Sequence, residues 1–280
     1  IPILATGDVG VRKITDLGMT PYNYDRFSRL IKVPQGVMLV TGPTGSGKTT
    51  TLYAALGELA KPNVNVITVE DPVEKNIEGI NQCQVNAKAG MTFAAALRSI
   101  LRQDPDIVMV GEMRDQETAE IAIRAAITGH MVLSTLHTND AASTITRLVD
   151  MGVAPYMVAT SLIGIVAQRL CKVVCNECKT PRMSTPEENE LLGITESATI
   201  YDACGCPKCN NTGYTGRTAI HEILLCTHEM ASLIAADGKV DAISSLAKEQ
   251  GCKLLRDNVA ELVLEGRTTL DELVKLTFAV

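Results

Sequence analysis

Short apolar runs alternate with amphipathic segments over the first 170 residues of the chain. Short, mostly apolar runs predict buried strands, and they lie at 36–40, 64–69, 107–110 and 131–136. Apolar residues three and four positions apart predict helices, and these cover 50–59, 91–103 and 117–127. Pro21 after Thr20 marks the start of an earlier helix. The alternation predicts an α/β fold in which a parallel sheet is covered by helices on both faces.

The pattern changes after residue 170, where Cys, Gly, Pro and Asn become frequent. One helix interrupts this stretch; it begins after Thr185 and ends at Gly193. Helical periodicity returns from Glu229 onward. Residues 1–19 show no clear period, and the chain begins at Ile1 rather than Met. We therefore predict four regions, which are a linker from a missing N-terminal domain (1–19), a core of alternating strands and helices (20–170), a cysteine-rich module (171–218) and a C-terminal helical subdomain (219–280).

Composition narrows the function classes. The chain has 280 residues and a net charge of −6, which disfavours a general nucleic-acid binder because phosphate backbones attract basic surfaces. It has no apolar run of the roughly 18–20 residues that span a membrane, and no signal peptide. Nine cysteines without a secretory signal favour metal ligation over disulfides, in a reducing cytoplasm.

A glycine-rich segment follows the first predicted strand and precedes a helix. It matches the phosphate-loop pattern G-x-x-x-x-G-K-[ST], and its residues are Gly42, Pro43, Thr44, Gly45, Ser46, Gly47, Lys48 and Thr49. Glycines let backbone N–H groups surround phosphate oxygens. Lys48 is predicted to reach the β- and γ-phosphates, and Thr49 to place its hydroxyl on Mg²⁺. The helix that starts at Thr50 adds its N-terminal dipole. We expect this segment to bind a nucleoside triphosphate.

Carboxylates follow two of the predicted strands. Glu112 comes after the apolar run 107–110, and Glu70, Asp71 and Glu74 come after the run 64–69. Ligands bind at the carboxyl ends of parallel strands, so Glu112 suits a position near Mg²⁺. One acid of the second group is a candidate base that aligns the attacking water. The alternative for that group is a solvated acidic loop.

Histidines and arginines add further candidates. His137 lies at the carboxyl end of the strand 131–136, where a γ-phosphate contact and a structural role are both open, whereas His130 at its start is predicted to be structural. Hydrolysis of this kind uses an arginine that faces the charge of the transition state. Spacing does not choose among the candidates, which are Arg98, Arg102, Arg114 and Arg124.

Two C-x-x-C pairs lie in the cysteine-rich region. Cys175 and Cys178 form the first pair, and Cys206 and Cys209 the second. Four thiolates close a tetrahedral Zn²⁺ site that leaves no open position, so a structural zinc is predicted. Cys171 and Cys204 are near enough in sequence to be alternative ligands.

Taken together, these motifs resemble those of the secretion ATPases of the GspE/PilB type, which power type II secretion and type IV pilus assembly. The motifs that carry the resemblance are the phosphate loop, 70–74, 111–115, 128–130, 134–139 and the cysteine pairs. The resemblance implies a RecA-like P-loop core that works as a homohexamer with ATP, Mg²⁺ and Zn²⁺. It also implies an inner-membrane platform protein as partner, and a peripheral position at the inner face of the cytoplasmic membrane.

The resemblance also implies roles for single residues. Glu74 takes the place of the catalytic glutamate, and Glu112 that of the Walker-B acid. His137 and His130 fall in the family's histidine box. Of these two, His137 is expected to be functional, and Lys48 of the phosphate loop is expected to be catalytic as well. Arginines expected at the nucleotide or the subunit interface are Arg98, Arg102, Arg114 and Arg217. N-terminal domains that supply further arginines lie before the start of this chain, so slow turnover in isolation is expected.

Three function classes remain for this chain. The main hypothesis is an ATPase motor for pilus assembly, with a type II secretion ATPase as the alternative. The sequence of segment 122–130 favours pilus assembly over type II secretion. The cysteine pairs, by the resemblance, favour assembly and export over pilus retraction. The second class is a nucleic-acid motor, which the acidic charge and the 3% aromatic content disfavour. The third is a scaffold that binds nucleotide without hydrolysis.

Overall fold

The computed structural model describes residues 12–278 of the chain. The strands are β1 (Gly36–Thr41), β2 (Val66–Glu70), β3 (Asn81–Gln84), β4 (Ile107–Val110), β5 (Met131–Leu136), β6 (Leu162–Val174), β7 (Thr180–Met183), β8 (Thr199–Asp202) and β9 (Tyr214–Leu225). The helices are α1 (Pro21–Leu30), α2 (Lys48–Leu59), α3 (Phe93–Ile100), α4 (Gln116–Ile127), α5 (Ala141–Asp150), α6 (Pro155–Ser161), α7 (Pro186–Leu192), α8 (His228–Ala235), α9 (Val240–Glu249), α10 (Leu255–Leu264) and α11 (Leu270–Phe278).

Seven strands form one sheet in the order β3-β2-β4-β5-β1-β6-β9. Its neighbouring strands are parallel except for β6 and β9, which are antiparallel. Every residue of β1, β2, β4 and β5 is buried, as expected for parallel strands covered on both faces. The predicted α/β fold with a parallel sheet is confirmed.

Alternation along β1 shows how the sheet divides the core. Val37 and Leu39 belong to one hydrophobic cluster, which includes residues of α3, α4, α5 and α6. Met38 and Val40 belong to another, which includes residues of α1 and α2. Successive side chains of a strand point to opposite faces, so one apolar strand serves both clusters.

The predicted strands and helices of the first 136 residues are present, with ends that shift by a few residues. Thr20 caps α1 as predicted, since its hydroxyl accepts a hydrogen bond from the Asn23 backbone N–H, and Pro21 is the first helical residue. β6 and β9, by contrast, were not predicted. Polar residues interrupt the apolar run of β6, and the first half of β9 is half-buried or exposed. These two strands cross the predicted region boundaries at 170 and 218, so residues from both sides of each boundary share one sheet.

A second, smaller sheet lies outside the seven-stranded one. β7 and β8 make a separate two-stranded sheet, and α7 carries the predicted capping box between Thr185 and Glu188 and ends at Gly193. The predicted linker lies partly outside the described residues. Within the described part, Ile14 and Leu17 are buried in the cluster that contains α2. Between residues 12 and 278, no helix is both long and apolar enough to cross a membrane.

Candidate active site and metal centre

A cleft lies where β1, β2, β4 and β5 end, on the carboxyl side of the sheet. Because these strands are parallel neighbours, segments distant in sequence converge on this edge. Predicted site residues that line the cleft are Thr44, Gly45, Lys48, Thr49, Glu70, Asp71, Glu74, Glu112 and His137. The structure therefore brings the predicted phosphate loop and both acidic segments to one place.

The phosphate loop joins β1 to α2 and depends on its glycines. Gly42, Gly45 and Gly47 have φ values of 148°, 80° and 87°, a region that residues with a Cβ rarely adopt. Gly42 also has no space for a side chain, since a Cβ there would lie 2.3 Å from the Gln168 carbonyl oxygen. The loop thus holds backbone N–H groups at the N-terminus of α2, the arrangement that binds phosphate.

Lys48 is held inside its own loop. Its Nζ donates hydrogen bonds to the carbonyl oxygens of Gly42 and Pro43 at 2.8 and 3.1 Å, and the residue is 9% exposed. Burial lowers the pKa of this amine, and the nearby Glu112 carboxylate opposes that shift. A buried ammonium with only neutral acceptors gains from charged ones, so the position favours an anionic ligand in the cleft.

Glu112 faces the cleft just beyond β4. Its carboxylate forms an ion pair with Arg114, and its Oε2 lies 3.6 Å from His137 Nε2. The side chain of Glu112 is 16% exposed, whereas those of Arg114 and His137 are 61% and 49% exposed. The hydrogen bond from Arg114 to Glu112 raises the pKa of the guanidinium. With the Thr49 hydroxyl in the same cleft, the donor set is oxygen-based, which fits Mg²⁺.

The acids after β2 have different surroundings. Glu70 is 3% exposed, and its carboxylate accepts hydrogen bonds from Tyr53, Thr68 and Gln82. Burial and this contact raise the pKa of the Tyr53 hydroxyl. Glu74 lies in the same segment but is exposed, and its backbone N–H donates to the Tyr53 hydroxyl at 3.2 Å. The Glu70 carboxylate is therefore occupied by hydrogen bonds to Tyr53, Thr68 and Gln82, which hold the end of β2 in place. Glu74, by contrast, is exposed and lines the cleft.

Most of the candidate arginines lie away from the cleft. Arg114 contacts Glu112, but the exposed Arg98 pairs with Glu117 on α4. Arg102 follows α3 and Arg217 lies on β9, and both are exposed. Arg124 is exposed on α4 and lies 3.9 Å from Glu120. Within the described residues, Arg114 is thus the candidate arginine nearest to the acids, and a nucleotide role for the others stays a prediction.

Three further polar side chains have clear structural contacts, and one of them, His130, lies at the start of β5 and therefore at the opposite edge of the sheet from the cleft. His130 Nδ1 lies 2.9 Å from the Ala125 carbonyl oxygen, in line with the structural role predicted for it. Sequence reasoning missed Tyr53 and Gln168. Gln168 is 2% exposed and donates from Nε2 to the Ser46 carbonyl oxygen at 2.7 Å. The sequence feature that could have indicated Gln168 is its position as a polar amide directly after the apolar residues at the start of β6.

The four cysteines of the two C-x-x-C pairs come together. Their Sγ atoms all lie within 4.8 Å of one another. The Cys175–Cys206 and Cys178–Cys209 separations are both 3.9 Å, and the Cys206–Cys209 separation is 3.8 Å. Zinc–sulfur bonds of about 2.3 Å in a tetrahedron require sulfur atoms about 3.8 Å apart. Backbone N–H groups of Gly205, Cys206 and Gly213 donate to these sulfurs, which suits thiolates.

The two alternative cysteine ligands lie outside this group. Cys171 is buried with its thiol 3.2 Å from the Thr268 hydroxyl, and burial raises its pKa to about 11. Cys204 is exposed, and its sulfur lies 3.1 Å from the Thr180 hydroxyl. The donor set therefore fits a closed zinc site made by the two C-x-x-C pairs.

Known proteins resemble the chain over nearly its whole length. It matches the family described as type II/IV secretion system protein over residues 3–275. The type II secretion system ATPase E of Vibrio cholerae is 50% identical over 263 residues, which is 93% of this chain and 52% of that protein. The type IV pilus assembly ATPase PilB of Thermus thermophilus is 49% identical over 271 residues, which is 95% of this chain and 30% of that protein.

A solved structure of the pilus retraction motor PilT with bound ADP is similar in fold. Its TM-score is 0.73 at 30% identity, and the match covers 96% of this chain and 67% of that one. The chain spans about half the length of the Vibrio relative and less than a third of the Thermus relative. The family match over residues 3–275 includes the residues of the cleft and of the cysteine group.

Proposed function

The chain belongs to the family of type II/IV secretion system proteins, and from this premise we propose that it binds ATP with Mg²⁺ and hydrolyses it to drive a motor. One observation carries the proposal. The phosphate loop and Glu112, which are more than 60 residues apart, face each other across one cleft whose walls also hold Glu74 and His137. The similar PilT structure contains ADP.

Each side chain of the cleft has a role that follows from its position. The loop N–H groups and Lys48 bind the phosphates, as Lys48 exchanges its two carbonyl acceptors for charged phosphate oxygens. Thr49 and Glu112 would hold Mg²⁺, which would supply positive charge beside the phosphates. Glu74 orients the attacking water because its carboxylate is open to the cleft. His137, next to Glu112, contacts the γ-phosphate region.

The test compares phosphate release by the full-length protein and by its Glu112→Gln variant. We expect the variant to retain nucleotide binding and to lose turnover by about 100-fold or more, since a transition-state charge contact is removed. Glu58→Gln is the matched control, because Glu58 is an exposed acid on α2 that is not among the cleft residues. Equal turnover in wild type and Glu112→Gln would contradict hydrolysis at this site and favour a non-hydrolysing scaffold.

We further propose a homohexamer that works with an inner-membrane platform protein, at the inner face of the cytoplasmic membrane. The exposed Arg98, Arg102 and Arg217 suit such an assembly, because surface arginines can reach the nucleotide of a neighbouring subunit. Size measurement by light scattering with and without Mg·ATP tests this assembly. A monomer under both conditions, in the full-length protein, would contradict it.

We propose that the work is pilus assembly, with type II secretion as the second candidate. Relatives with both names are about equally similar, at 49% and 50% identity. The cluster of four cysteines favours assembly and export over pilus retraction, because the resemblance implies that the cysteine pairs mark the assembly and export branch. Deleting the gene in the source organism and scoring surface pili and secreted enzymes separates the two. Loss of secretion with normal pili would favour the second candidate, and DNA-stimulated turnover would favour the nucleic-acid motor.

The cysteine group is proposed to hold one structural Zn²⁺. Cys175, Cys178, Cys206 and Cys209 supply four sulfurs at tetrahedral spacing, so the bound metal has no open position for substrate. Its contribution is therefore to the stability of the module that carries α7, β7 and β8.

A further inference from the structure

Gln168 lies on β6 and contacts both the phosphate loop, at Ser46, and the first turn of α2, at Thr51. Its Nε2 donates to the Ser46 carbonyl oxygen at 2.7 Å, and its Oε1 accepts from the Thr51 hydroxyl at 2.6 Å. Gln168 and Thr51 are 2% and 0% exposed. Both functional groups of one buried amide are thus used to join the turn of the loop to the first turn of α2.

The glycines of the loop are fitted to the same residue. A Cβ on Gly42 would lie 2.3 Å from the Gln168 carbonyl oxygen, and a Cβ on Gly47 would lie 2.9 Å from its Nε2. Gly45, at the tip of the loop, has open space around it instead. The close approach of β6 therefore explains why positions 42 and 47 exclude side chains in addition to their backbone angles.

The hydrogen bond to Ser46 has a direct consequence for phosphate binding. The peptide that joins Ser46 to Gly47 is planar and trans, so its C=O and N–H groups point in opposite directions. Because Gln168 holds the Ser46 oxygen toward β6, the Gly47 N–H points away from β6. The backbone N–H of Thr51 donates to the Gly47 carbonyl oxygen at 3.1 Å. The hydrogen bond between the Thr51 hydroxyl and Gln168 therefore also holds the peptide on the carboxyl side of Gly47.

We infer that Gln168 is a positioning residue of the nucleotide site, which orients the Ser46–Gly47 peptide so that its N–H serves a phosphate. This inference rests on the proposed nucleotide binding and adds a residue outside the phosphate-loop motif. Gln168 acts through the loop rather than by touching the nucleotide. Its loss releases the peptide to rotate, and part of the binding energy is then spent on ordering the loop.

The experiment measures the Kd of a fluorescent ADP analogue with Mg²⁺, together with thermal unfolding, for the chain and four variants. Gln168→Glu keeps the shape and the acceptor but removes the donor to Ser46. Thr51→Val keeps the shape and removes the other bond. Gln168→Met removes both bonds without introducing a buried charge. Asn23→Asp is the matched control, because Asn23 is a 1% exposed amide whose two donor bonds go to His221 and Asn258, outside the cleft.

Both Gln168 variants are expected to raise the Kd by at least about tenfold at temperatures where they are folded, and Thr51→Val by less. Asn23→Asp should lower thermal stability and leave the Kd unchanged. A Gln168→Met variant that is folded and binds as tightly as wild type would overturn the inference. So would a loss of affinity in Asn23→Asp equal to that in Gln168→Glu. Failure of the wild-type chain to bind would instead overturn the proposed function and this inference with it.

Discussion

Burial of His221 should make the fold sensitive to mild acid. His221 lies on β9 and is 1% exposed, and within residues 12–278 its Nε2 has no hydrogen-bond partner. Burial lowers the pKa of its imidazole to about 3. The folded protein therefore keeps this histidine neutral at pH values where the unfolded chain, with a pKa of about 6.5, takes up a proton.

The sign and size of the effect follow from that difference. Below about pH 6.5 the unfolded state binds one more proton than the folded state at this position, so the free energy of unfolding falls as the pH falls. Each pH unit corresponds to about 1.4 kcal/mol, so this group should remove about 2 kcal/mol between neutral pH and pH 5. The loss should stop near pH 3, where the folded imidazole also becomes protonated.

Other groups add to the raw pH dependence. Burial raises the pKa of the Glu222 carboxyl, although backbone N–H groups of Ala141 and Leu255 donate to it. A raised carboxyl pKa adds stability as the pH falls, which opposes the His221 effect. Zinc binding to thiolates also weakens in acid. The measurement is therefore a difference between variants at each pH.

The assay is urea unfolding followed by circular dichroism at pH 7.5, 6.5, 5.5 and 5.0. Wild type and His221→Gln should differ in stability by a gap that shifts by about 2 kcal/mol over this range, in favour of the variant as the pH falls. His228→Gln removes an exposed histidine and serves as the control. A gap that stays constant with pH would refute the assignment of acid sensitivity to His221.

Three further predictions concern the metal centre and the cleft. Metal analysis should find about one zinc per chain, lost in Cys206→Ser and kept in Cys204→Ser, and retention in both would contradict the assigned donor set. Gly47→Ala should abolish binding of the fluorescent ADP analogue, because the residue has φ of 87° and a Cβ there would lie 2.9 Å from a buried amide; unchanged affinity would argue against this loop geometry. Tyr53→Phe should lower the free energy of unfolding by about 1–3 kcal/mol, since the buried Glu70 carboxylate loses a donor. Chemical denaturation measures it, and a neutral result would show that the contact is dispensable.

Local motifs determined a large part of this protein directly. The phosphate loop needs only glycines, a lysine and a threonine within the eight consecutive residues 42–49, followed by a helix, so sequence alone located it. Four buried strands were visible because a parallel strand covered on both faces is buried at every position and is therefore mostly apolar. The two C-x-x-C pairs likewise indicated a metal site, since each pair is a local unit.

Tertiary structure decided which of several equivalent side chains are in a position to act. Position after a predicted strand could not separate Glu70 from Glu74, and only the family resemblance pointed to Glu74. The physical difference lies in the hydrogen bonds that Tyr53, Thr68 and Gln82 donate to Glu70. Sequence could not find Gln168, whose contacts with the phosphate loop join residues 117 and 122 positions apart. Pairing over such distances leaves no periodic signal in either segment. Local pattern therefore determined the elements and their motifs, while burial and long-range hydrogen bonds selected the residues that hold the cleft in shape.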